Sequence, residues 1–518
     1  MSWILSLFRH AWVRRLGLSV VLIAWFVAFQ PWGGFADPDA FYHSTMAAIM
    51  LKQGLIHEFA WLDLTSFAQP FVNQHVLFHA ALMPFVAVFG ALPGGQIAAV
   101  VFALVFCAVF AWCLKVLKSP APLFWTLVLA TLPAMTARLS YGKASPLAVS
   151  LFMLGVTAVM AGLPLLAFIV STLFVLTHAG WPLLLLTQGA LIVGHALALW
   201  SIESVPVAKI LKDKTWLKGW FVFGSSLTGT VLGIAVHPYR AQLWGFLKVQ
   251  LFQVSIATPY DRVVMGNEWY GPAPIVLAGW LLPFVVALGV FTLGMLVARR
   301  SPNIMAMRYV VMISVPVVFI FALTLKSARF IEYLAPLIAT LIAQLFHQVD
   351  LQKTWKDTLD GMGVKRLGAV IGIVGTVLLV QRGVSLHESY VFRKSFDYYA
   401  GAMAAIRQEV KPGERLFHSD WSHMPLLWAQ NQDIRYVAGL DPTFLLAQNP
   451  GLSDRYNDLT YGKATSTAYD VIVNEMHSSA VFVDRSRAKA FEEALKIDAR
   501  FERVYEDEIS AVYRIKKL

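Results

Sequence analysis

Long apolar runs are the feature that most constrains this chain. Many of them reach the roughly 17–25 residues that a helix needs to cross a bilayer. Charged residues make up only 14% of the chain, whereas soluble domains carry about 25%. The sequence therefore predicts a polytopic α-helical membrane protein with about 11–13 transmembrane helices. The runs lie at about 16–31, 77–92, 96–116, 121–137, 145–161, 163–177, 181–200, 219–236, 273–297, 309–325, 329–347 and 367–381.

The hydrophilic tail predicts a second domain. Residues 1–382 are expected to form the transmembrane domain, with external loops at 31–76 and 237–272, and residues 383–518 a soluble α/β domain. Alternating helices and strands are typical of such a domain. Strands are predicted at 415–418, 434–438, 480–483 and 511–515, and helices at 396–410, 464–475 and 487–497.

Basic residues near short loops indicate the orientation of the chain in the membrane. Those at 9–15 predict a cytoplasmic N-terminus, but strict counting of twelve spans puts the basic loops at 209–218 and 353–366 on the opposite side. The conflict disappears if 77–89 does not complete a crossing, or if one early span is missed. Asp37, Glu268 and the tail then lie on the outer side. The net charge of +11 collects in the basic loops and does not indicate nucleic acid as a partner.

An acidic segment follows the first apolar run and reads Asp37-Pro-Asp39-Ala-Phe-Tyr42-His43. Carboxylates are costly beside hydrocarbon and are usually functional there. Pro38 disfavours the α conformation at Asp37, so we expect a turn leading into a helix at 40–54 that lies flat on the membrane. The two acids could bind a divalent cation, or one could act as a base. Alternatively, Asp39 caps the helix.

Three polar residues, Asn73, His75 and His79, lie at the start of the next apolar run. His75 and His79 are four residues apart, a spacing that places them on one helical face and that can hold a metal. Two histidines are a weak metal signal. Contact with an anion or a sugar suits them better, and interfacial hydrogen bonding is an equal alternative.

Basic and polar breaks between apolar runs form a further group of candidates. They are Arg138-Leu-Ser-Tyr-Gly-Lys143, Thr177-His178-Ala-Gly-Trp-Pro, and His237-Pro-Tyr-Arg240. An isolated basic side chain at a membrane surface commonly snorkels to the interface. Several such groups on one side favour recognition of an anionic headgroup instead.

Charged residues also flank two later runs. Glu268 lies in a long loop, which suggests a functional lid. The stretch Lys326-Ser-Ala-Arg329-Phe-Ile-Glu332-Tyr333 places three charges at the mouth of a span. Arg329 and Glu332 could pair locally, whereas an arginine beside the bilayer is also suited to a phosphate.

In the tail, Asp420 and Trp421 follow a predicted strand, where α/β domains present ligand contacts.

Together these segments resemble the GT-C glycosyltransferase superfamily, and most of all the oligosaccharyltransferase catalytic subunit. The stretch from Asp37 to His43, followed by Trp61-Leu-Asp63, is similar to that family's first external loop. Thr177-His-Ala-Gly-Trp181 is similar to its Gly-aromatic break. Asp420-Trp421 resembles its Trp-Trp-Asp motif in altered order.

The resemblance implies transfer of a sugar or oligosaccharide from a polyprenyl-phosphate-linked donor. The implied catalytic acids are Asp37 and Asp39. The implied donor-phosphate ligands are Arg329, Arg240, Lys143, His237 and Lys326. The implied substrate-binding residues are His43, Asn73, His75, His79, His178, Glu268, Glu332, Tyr333, Asp420 and Trp421.

One departure concerns the metal. The family has an acidic pair in its second external loop, where this chain has Gly142-Lys143-Ala144. A lysine there could neutralise a phosphate, so the sequence leaves the metal unknown and argues against bound Mg²⁺ or Mn²⁺. The altered tryptophan motif leaves the acceptor open among glycan, lipid and protein.

The expected location is the inner (plasma) membrane, with the active site and the tail, a periplasmic domain, on its outer face. Membrane lipid is an expected partner. Two other classes stay open. A transporter or lipid-binding protein would usually show inverted repeats and charges at mid-membrane, which this sequence lacks. A membrane sensor with an outer ligand domain would leave the two acids unexplained.

Overall fold

The computed structural model describes residues 11–250, 261–297, 300–350 and 393–516. The chain divides into two compact units. The first unit comprises Met1–Gln30, Ile97–His237 and Asn267–Phe392. The second unit comprises Pro31–Gln96, Pro238–Gly266 and Arg393–Leu518.

Helices dominate the described residues up to 350. Their bounds are Ala11–Ala28, Asp39–Gln53, Val76–Phe89, Ala91–Val116, Pro122–Ala130, Pro133–Ser140, Ser145–Ala161, Pro164–Thr177, Trp181–Ser201, Val207–Ile210, Lys214–Val236, Arg240–Lys248, Pro274–Val297, Ile304–Lys326 and Ile331–Leu345, with short 3₁₀ turns at Ala60–Leu62, Asn267–Trp269, Ala328–Phe330 and Phe346–Gln348.

The described helices confirm a multi-pass membrane protein. Six of those within the described ranges are long and apolar enough to cross a membrane, and a bent pair would make a seventh. Four more apolar helices are shorter. The predicted span at 367–381 lies outside the described residues, so the number of crossings stays a prediction.

Two helix boundaries differ from the predicted ones because of proline and glycine. The predicted span at 121–137 is broken by 77° between Pro122–Ala130 and Pro133–Ser140. Pro133 has no N–H to donate and so starts a new helix. The gap between the predicted runs 77–92 and 96–116 lies inside a helix, and the chain instead breaks at Gly90, whose φ is +83°.

Close helix packing organises part of the first unit. Helices Pro164–Thr177 and Lys214–Val236 lie side by side, and a Cβ added at Gly229 would collide with the backbone carbonyl of Phe168. Thr172 Oγ1 donates to the Phe168 and Gly229 carbonyls, both at 2.9 Å. Small residues at such contacts let membrane helices approach closely enough to pack and to share hydrogen bonds.

In the second unit, helix Asp39–Gln53 corrects the expectation of a helix lying flat on the membrane. Nearly all of its first twelve residues are buried, including the polar His43, Ser44 and Thr45. A surface helix would leave one face exposed. Protein rather than lipid therefore surrounds this helix.

The tail forms the predicted small α/β domain. The strands of the chain are β1 (Gly34–Phe35), β2 (Lys394–Ser395), β3 (Arg415–His418), β4 (Arg435–Tyr436), β5 (Ser478–Asp484), β6 (Phe501–Glu506) and β7 (Ser510–Ile515). The last five form one sheet in the order β4-β3-β5-β7-β6. β3 is parallel to β4 and β5, and β7 is antiparallel to β5 and β6.

The helical elements of the tail are Ala400–Glu409, Met424–Gln430, Thr443–Gln448, Pro450–Thr460 and Lys489–Ile497, with a π-helix at Asp470–Glu475 and 3₁₀ turns at Trp421–His423 and Thr465–Thr467. The sheet and its helices enclose one hydrophobic core. Phe417, Val437 and Val481 lie in this core and are fully buried. Short β1 pairs with β2, Gly34 opposite Ser395, and ties residues 34–35 to the start of the tail.

Candidate functional site

Five charged side chains from distant parts of the sequence meet in the first unit. Arg138 lies on the short helix that begins at Pro133, and Lys143 follows in the next turn. Glu268 lies in the 3₁₀ turn Asn267–Trp269, Arg329 lies in the turn after helix Ile304–Lys326, and Glu332 lies in the first turn of the next helix. We call these five residues the charged cluster.

Arg138 is at the centre of the charged cluster. Its Nη1 contacts Oε2 of Glu268, and its Nε donates to Oε2 of Glu332 at 2.7 Å. Lys143 Nζ lies 3.8 Å from Glu268 Oε2, and Arg329 Nη1 lies 3.9 Å from Glu268 Oε1. Glu268 is therefore a single carboxylate that faces three cations.

The charged cluster is positively charged overall and partly shielded from water. The Arg138 and Glu332 side chains are 9% and 1% exposed, whereas Glu268 is 26% exposed. Burial acts to raise the pKa of Glu268, but Lys143, Arg138 and Arg329 together hold it well below 4.5. Glu268 is thus a carboxylate at neutral pH, and three cations against two carboxylates leave one net positive charge.

The segment that carries Glu268 is fixed to the segment that carries Arg329. Ser327 Oγ donates to the Glu268 carbonyl at 2.7 Å, and the Ala328 amide donates to the Tyr270 carbonyl at 2.9 Å. The Arg329 guanidinium lies over the Trp269 ring, 4.4 Å from its centroid. A cation above an aromatic face is attracted to it, so this contact orients Arg329.

The charged cluster contains four of the residues that the sequence assigned, and one that it did not assign. Lys143, Arg329, Glu268 and Glu332 are brought together, but the sequence noted Arg138 only as a basic residue in the same break as Lys143. The expected local pair is not the one that forms: among the described contacts, Glu332 pairs with Arg138 and not with Arg329. Helical spacing cannot reveal a partner 194 residues away.

The remaining candidates of the first unit take three different positions. His178 Nδ1 accepts from the Gly180 amide at 2.8 Å, and Tyr333 is buried with its ring against Phe152. A Cβ on Gly180 would come within 3.4 Å of the Tyr333 hydroxyl, so the His178 break approaches this tyrosine. His237 is buried at a helix end, and Lys326 is exposed.

An apolar groove of about 500 Å³ lies close to the charged cluster along the chain. Pro133, which begins the helix of Arg138, forms one wall. Ile275 and Leu282, on the helix that follows the Glu268 turn, are 81% and 47% exposed. Such a surface suits a hydrocarbon chain and is unfavourable in water.

In the second unit, the two acids Asp37 and Asp39 lie on either side of Pro38, which is the N-cap position of the following helix. Asp37 Oδ1 accepts from the Asp39 amide at 2.9 Å, and the helix begins at Asp39. Both carboxylates are half-exposed. Asp39 is therefore the first residue of the helix and not its N-cap, so the capping alternative for Asp39 is wrong.

The four polar residues His43, Asn73, His75 and His79 lie together. His43 Nδ1 and His79 Nε2 are 2.8 Å apart, and the His43 and His75 rings are 5.0 Å apart between centroids. Asn73 Oδ1 accepts from the His75 amide at 3.1 Å. In the contact between His43 and His79, one ring nitrogen must donate a proton and the other must accept it, so the accepting nitrogen is unprotonated. Across the described ranges, no three His, Cys, Asp or Glu side chains are grouped to hold a metal.

The tail candidates follow β3. Asp420 Oδ1 accepts from the Ser422 amide at 2.8 Å, and Trp421 Nε1 donates to the Val264 carbonyl at 3.2 Å. Burial acts to raise the pKa of Asp420, but His423 and the Ser422 bonds lower it. Arg240, at the start of another helix of this unit, is exposed.

Asp63, the last residue of the Trp61-Leu-Asp63 motif, has a structural role. Its Oδ2 lies 2.7 Å from Arg415 Nη2 and 2.8 Å from Arg435 Nη1. The two arginines begin β3 and β4. Asp63 therefore fixes the loop after residue 53 to the edge of the sheet.

Comparison with solved structures shows a GT-C-like fold. The archaeal oligosaccharyltransferase AglB from Archaeoglobus fulgidus, in complex with an inhibitory peptide and a dolichol-phosphate, matches over 98% of this chain and 75% of its own, with a TM-score of 0.58 and 12% identity. ArnT from Cupriavidus metallidurans bound to undecaprenyl phosphate matches over 97% of both chains, with a TM-score of 0.55 and 12% identity.

The arabinofuranosyltransferase AftD from Mycobacteria matches over 97% of this chain and 40% of its own, with a TM-score of 0.53 and 14% identity. No protein-family model and no curated protein sequence matches this chain. The resemblance to GT-C glycosyltransferases is therefore confirmed at the level of the fold.

Proposed function

We propose that this membrane protein with a GT-C-like fold transfers a sugar or oligosaccharide from a polyprenyl-phosphate-linked donor to an acceptor at the outer face of the inner membrane. The observation that carries the proposal is the charged cluster, in which three cations converge on one carboxylate beside helices apolar enough to cross a membrane. Among proteins of similar fold, ArnT has been solved with undecaprenyl phosphate and AglB with a dolichol-phosphate.

The donor phosphate is assigned to Arg138, Lys143 and Arg329. Arginine presents several N–H donors in a planar fork that suits phosphate oxygens, and lysine adds a point charge. The geometry supports this assignment for Lys143 and Arg329, which the sequence also chose, and adds Arg138. The roles of Arg240, His237 and Lys326 in phosphate binding stay sequence predictions.

The apolar groove beside Pro133 favours a lipid phosphate over a soluble one. Its exposed residues Ile275 and Leu282 follow the Glu268 turn by fewer than fifteen positions. A phosphate held by the charged cluster would leave its hydrocarbon tail within reach of this surface. Burial of each CH₂ contributes about 0.8 kcal/mol, so several isoprene units would add substantially to the affinity.

The chemistry of transfer assigns a clear task to the cations. An oxygen or nitrogen of the acceptor forms a bond to the anomeric carbon of the sugar, and the bond from that carbon to the phosphate oxygen breaks. The electron pair leaves with the polyprenyl phosphate, which gains a negative charge. Cations fixed around the phosphate stabilise this developing charge more than they stabilise the donor, and so they lower the barrier.

The acceptor proton needs a base, and the family resemblance assigns it to Asp37 or Asp39. We favour Asp39, because it is the first residue of the helix Asp39–Gln53 and its amide is held by Asp37 Oδ1 at 2.9 Å, which fixes its backbone position. A carboxylate that accepts a proton as the new bond forms contributes typically 10²–10⁴-fold to a rate.

A transfer assay tests the proposal. Purified protein in lipid nanodiscs is mixed with undecaprenyl-phosphate-linked [¹⁴C]mannose or [¹⁴C]glucose and an envelope extract as the acceptor. We expect label to move out of the polyprenyl fraction with wild-type protein, and the rate to fall by about 10²-fold or more in Asp39→Asn.

Full activity of Asp39→Asn would contradict the base assignment. Saturable binding of the lipid without transfer, over a panel of sugars and acceptors, would favour a lipid-binding protein or transporter.

A further inference from the structure

Glu268 occupies the position in the charged cluster that best suits an anionic ligand. All three cations of the charged cluster lie within 4 Å of its carboxylate: Arg138 and Lys143 approach Oε2, and Arg329 approaches Oε1. With a side chain that is 26% exposed, Glu268 is also the more accessible of the two carboxylates.

Glu332 differs from Glu268 in both respects. It is 1% exposed and contacts only Arg138 among the three cations, through Nε at 2.7 Å. It can stay in place as the counter-ion of Arg138, because it binds Nε, whereas Glu268 binds Nη1 of the same guanidinium. The two carboxylates therefore have separate tasks.

We propose that Glu268 is an internal competitor of the donor phosphate, which must displace its carboxylate from Arg138, Lys143 and Arg329 in order to bind. This inference rests on the proposed function. The backbone stays fixed, because Ser327 Oγ donates to the Glu268 carbonyl and the Ala328 amide donates to the Tyr270 carbonyl. Only the side chain needs to rotate away.

Charge balance supports such an exchange. With Glu268 in place the charged cluster carries one net positive charge, and with Glu268 withdrawn it carries two. A sugar-linked polyprenyl phosphodiester has one negative charge, and the polyprenyl phosphate that leaves has up to two. The returning carboxylate would compete with this product and so favour its release.

Binding of farnesyl phosphate to the full chain in lipid nanodiscs tests the competition. Glu268→Gln removes the charge and keeps the shape, and we expect its dissociation constant to fall about tenfold. Glu203→Gln is the matched control: Glu203 pairs with Arg308 and is 24% exposed, so its loss changes the net charge equally. Its affinity should equal that of the wild type.

Glu268→Asp is a second variant, which keeps the charge but shortens the side chain by one methylene. We expect an affinity between those of the wild type and Glu268→Gln, because the shorter carboxylate cannot reach all three cations. An affinity equal to that of the wild type would mean that only net charge matters and would overturn the proposal.

The possible failures can be told apart. If the wild type binds farnesyl phosphate and Glu268→Gln binds it equally or more weakly, the competitor role is wrong and the proposed function stands. If neither protein binds it up to the solubility of the ligand, the donor-phosphate site itself is wrong, and the competitor role is wrong with it.

Discussion

Replacing Arg329 with alanine should separate ligand binding from folding. Arg329 is 21% exposed, lies 3.9 Å from Glu268 Oε1 and covers the Trp269 ring. A hydrogen bond to a charged group contributes about 1.5–3 kcal/mol, and 1.4 kcal/mol is a factor of ten. We therefore expect Arg329→Ala to bind a polyprenyl phosphate about 10- to 150-fold more weakly than the wild type.

The same substitution should have little effect on stability. A partly exposed ion pair contributes about 0–1 kcal/mol, and an exposed cation–π contact about 0.5–1 kcal/mol. Thermal unfolding in detergent, followed by tryptophan fluorescence, should therefore show a shift of a few degrees at most. Titration of farnesyl phosphate into protein in nanodiscs gives the affinity.

Arg308→Ala is the matched control for Arg329→Ala. Arg308 is 23% exposed and pairs with Glu203, so its removal costs a similar ion pair outside the charged cluster. We expect the affinity for farnesyl phosphate to be unchanged. Equal affinities of Arg329→Ala and the wild type, with both proteins folded, would refute the assignment of Arg329 to the phosphate.

Three further predictions concern stability. Arg138→Ala leaves Glu332, which is 1% exposed, as an unpaired buried charge, so we expect a loss of about 3–5 kcal/mol in denaturant unfolding, partly restored by adding Glu332→Gln. The pKa of Glu268 is held well below 4.5, so its ion pairs contribute fully to stability above pH 4.5 and are lost only as the pH falls further. The Tm difference between the wild type and Glu268→Gln should therefore stay constant from about pH 7 to about pH 5 and narrow below pH 4.5. Asp63→Ala removes the carboxylate partner of the Arg415 side chain, which is itself 9% exposed, and should lower the free energy of unfolding by about 1–3 kcal/mol. An unchanged free energy of unfolding would contradict the structural role of Asp63.

Much of the fold could be predicted because apolar runs and their flanking residues are local signals. Strand β3 was predicted with its observed bounds, and β5 and β7 within a few residues. β6 was missed because apolar and polar residues do not alternate strictly along Phe501–Glu506, and its three charged residues favour a loop. The helix at 39–53 was found, but its environment was not, since sequence cannot show that protein covers both faces.

The candidate site was predictable only in part, for a physical reason. Lys143, Glu268, Arg329 and Glu332 were chosen because charges are costly beside lipid. Their pairing is a tertiary property, since Arg138 meets residues 130 and 194 positions away. Local spacing instead suggested a pair between Arg329 and Glu332, which does not form among the residues that the structure describes.

A cryo-electron microscopy structure with undecaprenyl phosphate would show where the protein binds the phosphate. We predict phosphate density within hydrogen-bonding distance of Arg138, Lys143 and Arg329, with the Glu268 carboxylate withdrawn from them and the lipid tail along the groove at Ile275. Phosphate density at another position, with all the ion pairs of the charged cluster intact, would contradict the assignment of the donor phosphate to the charged cluster.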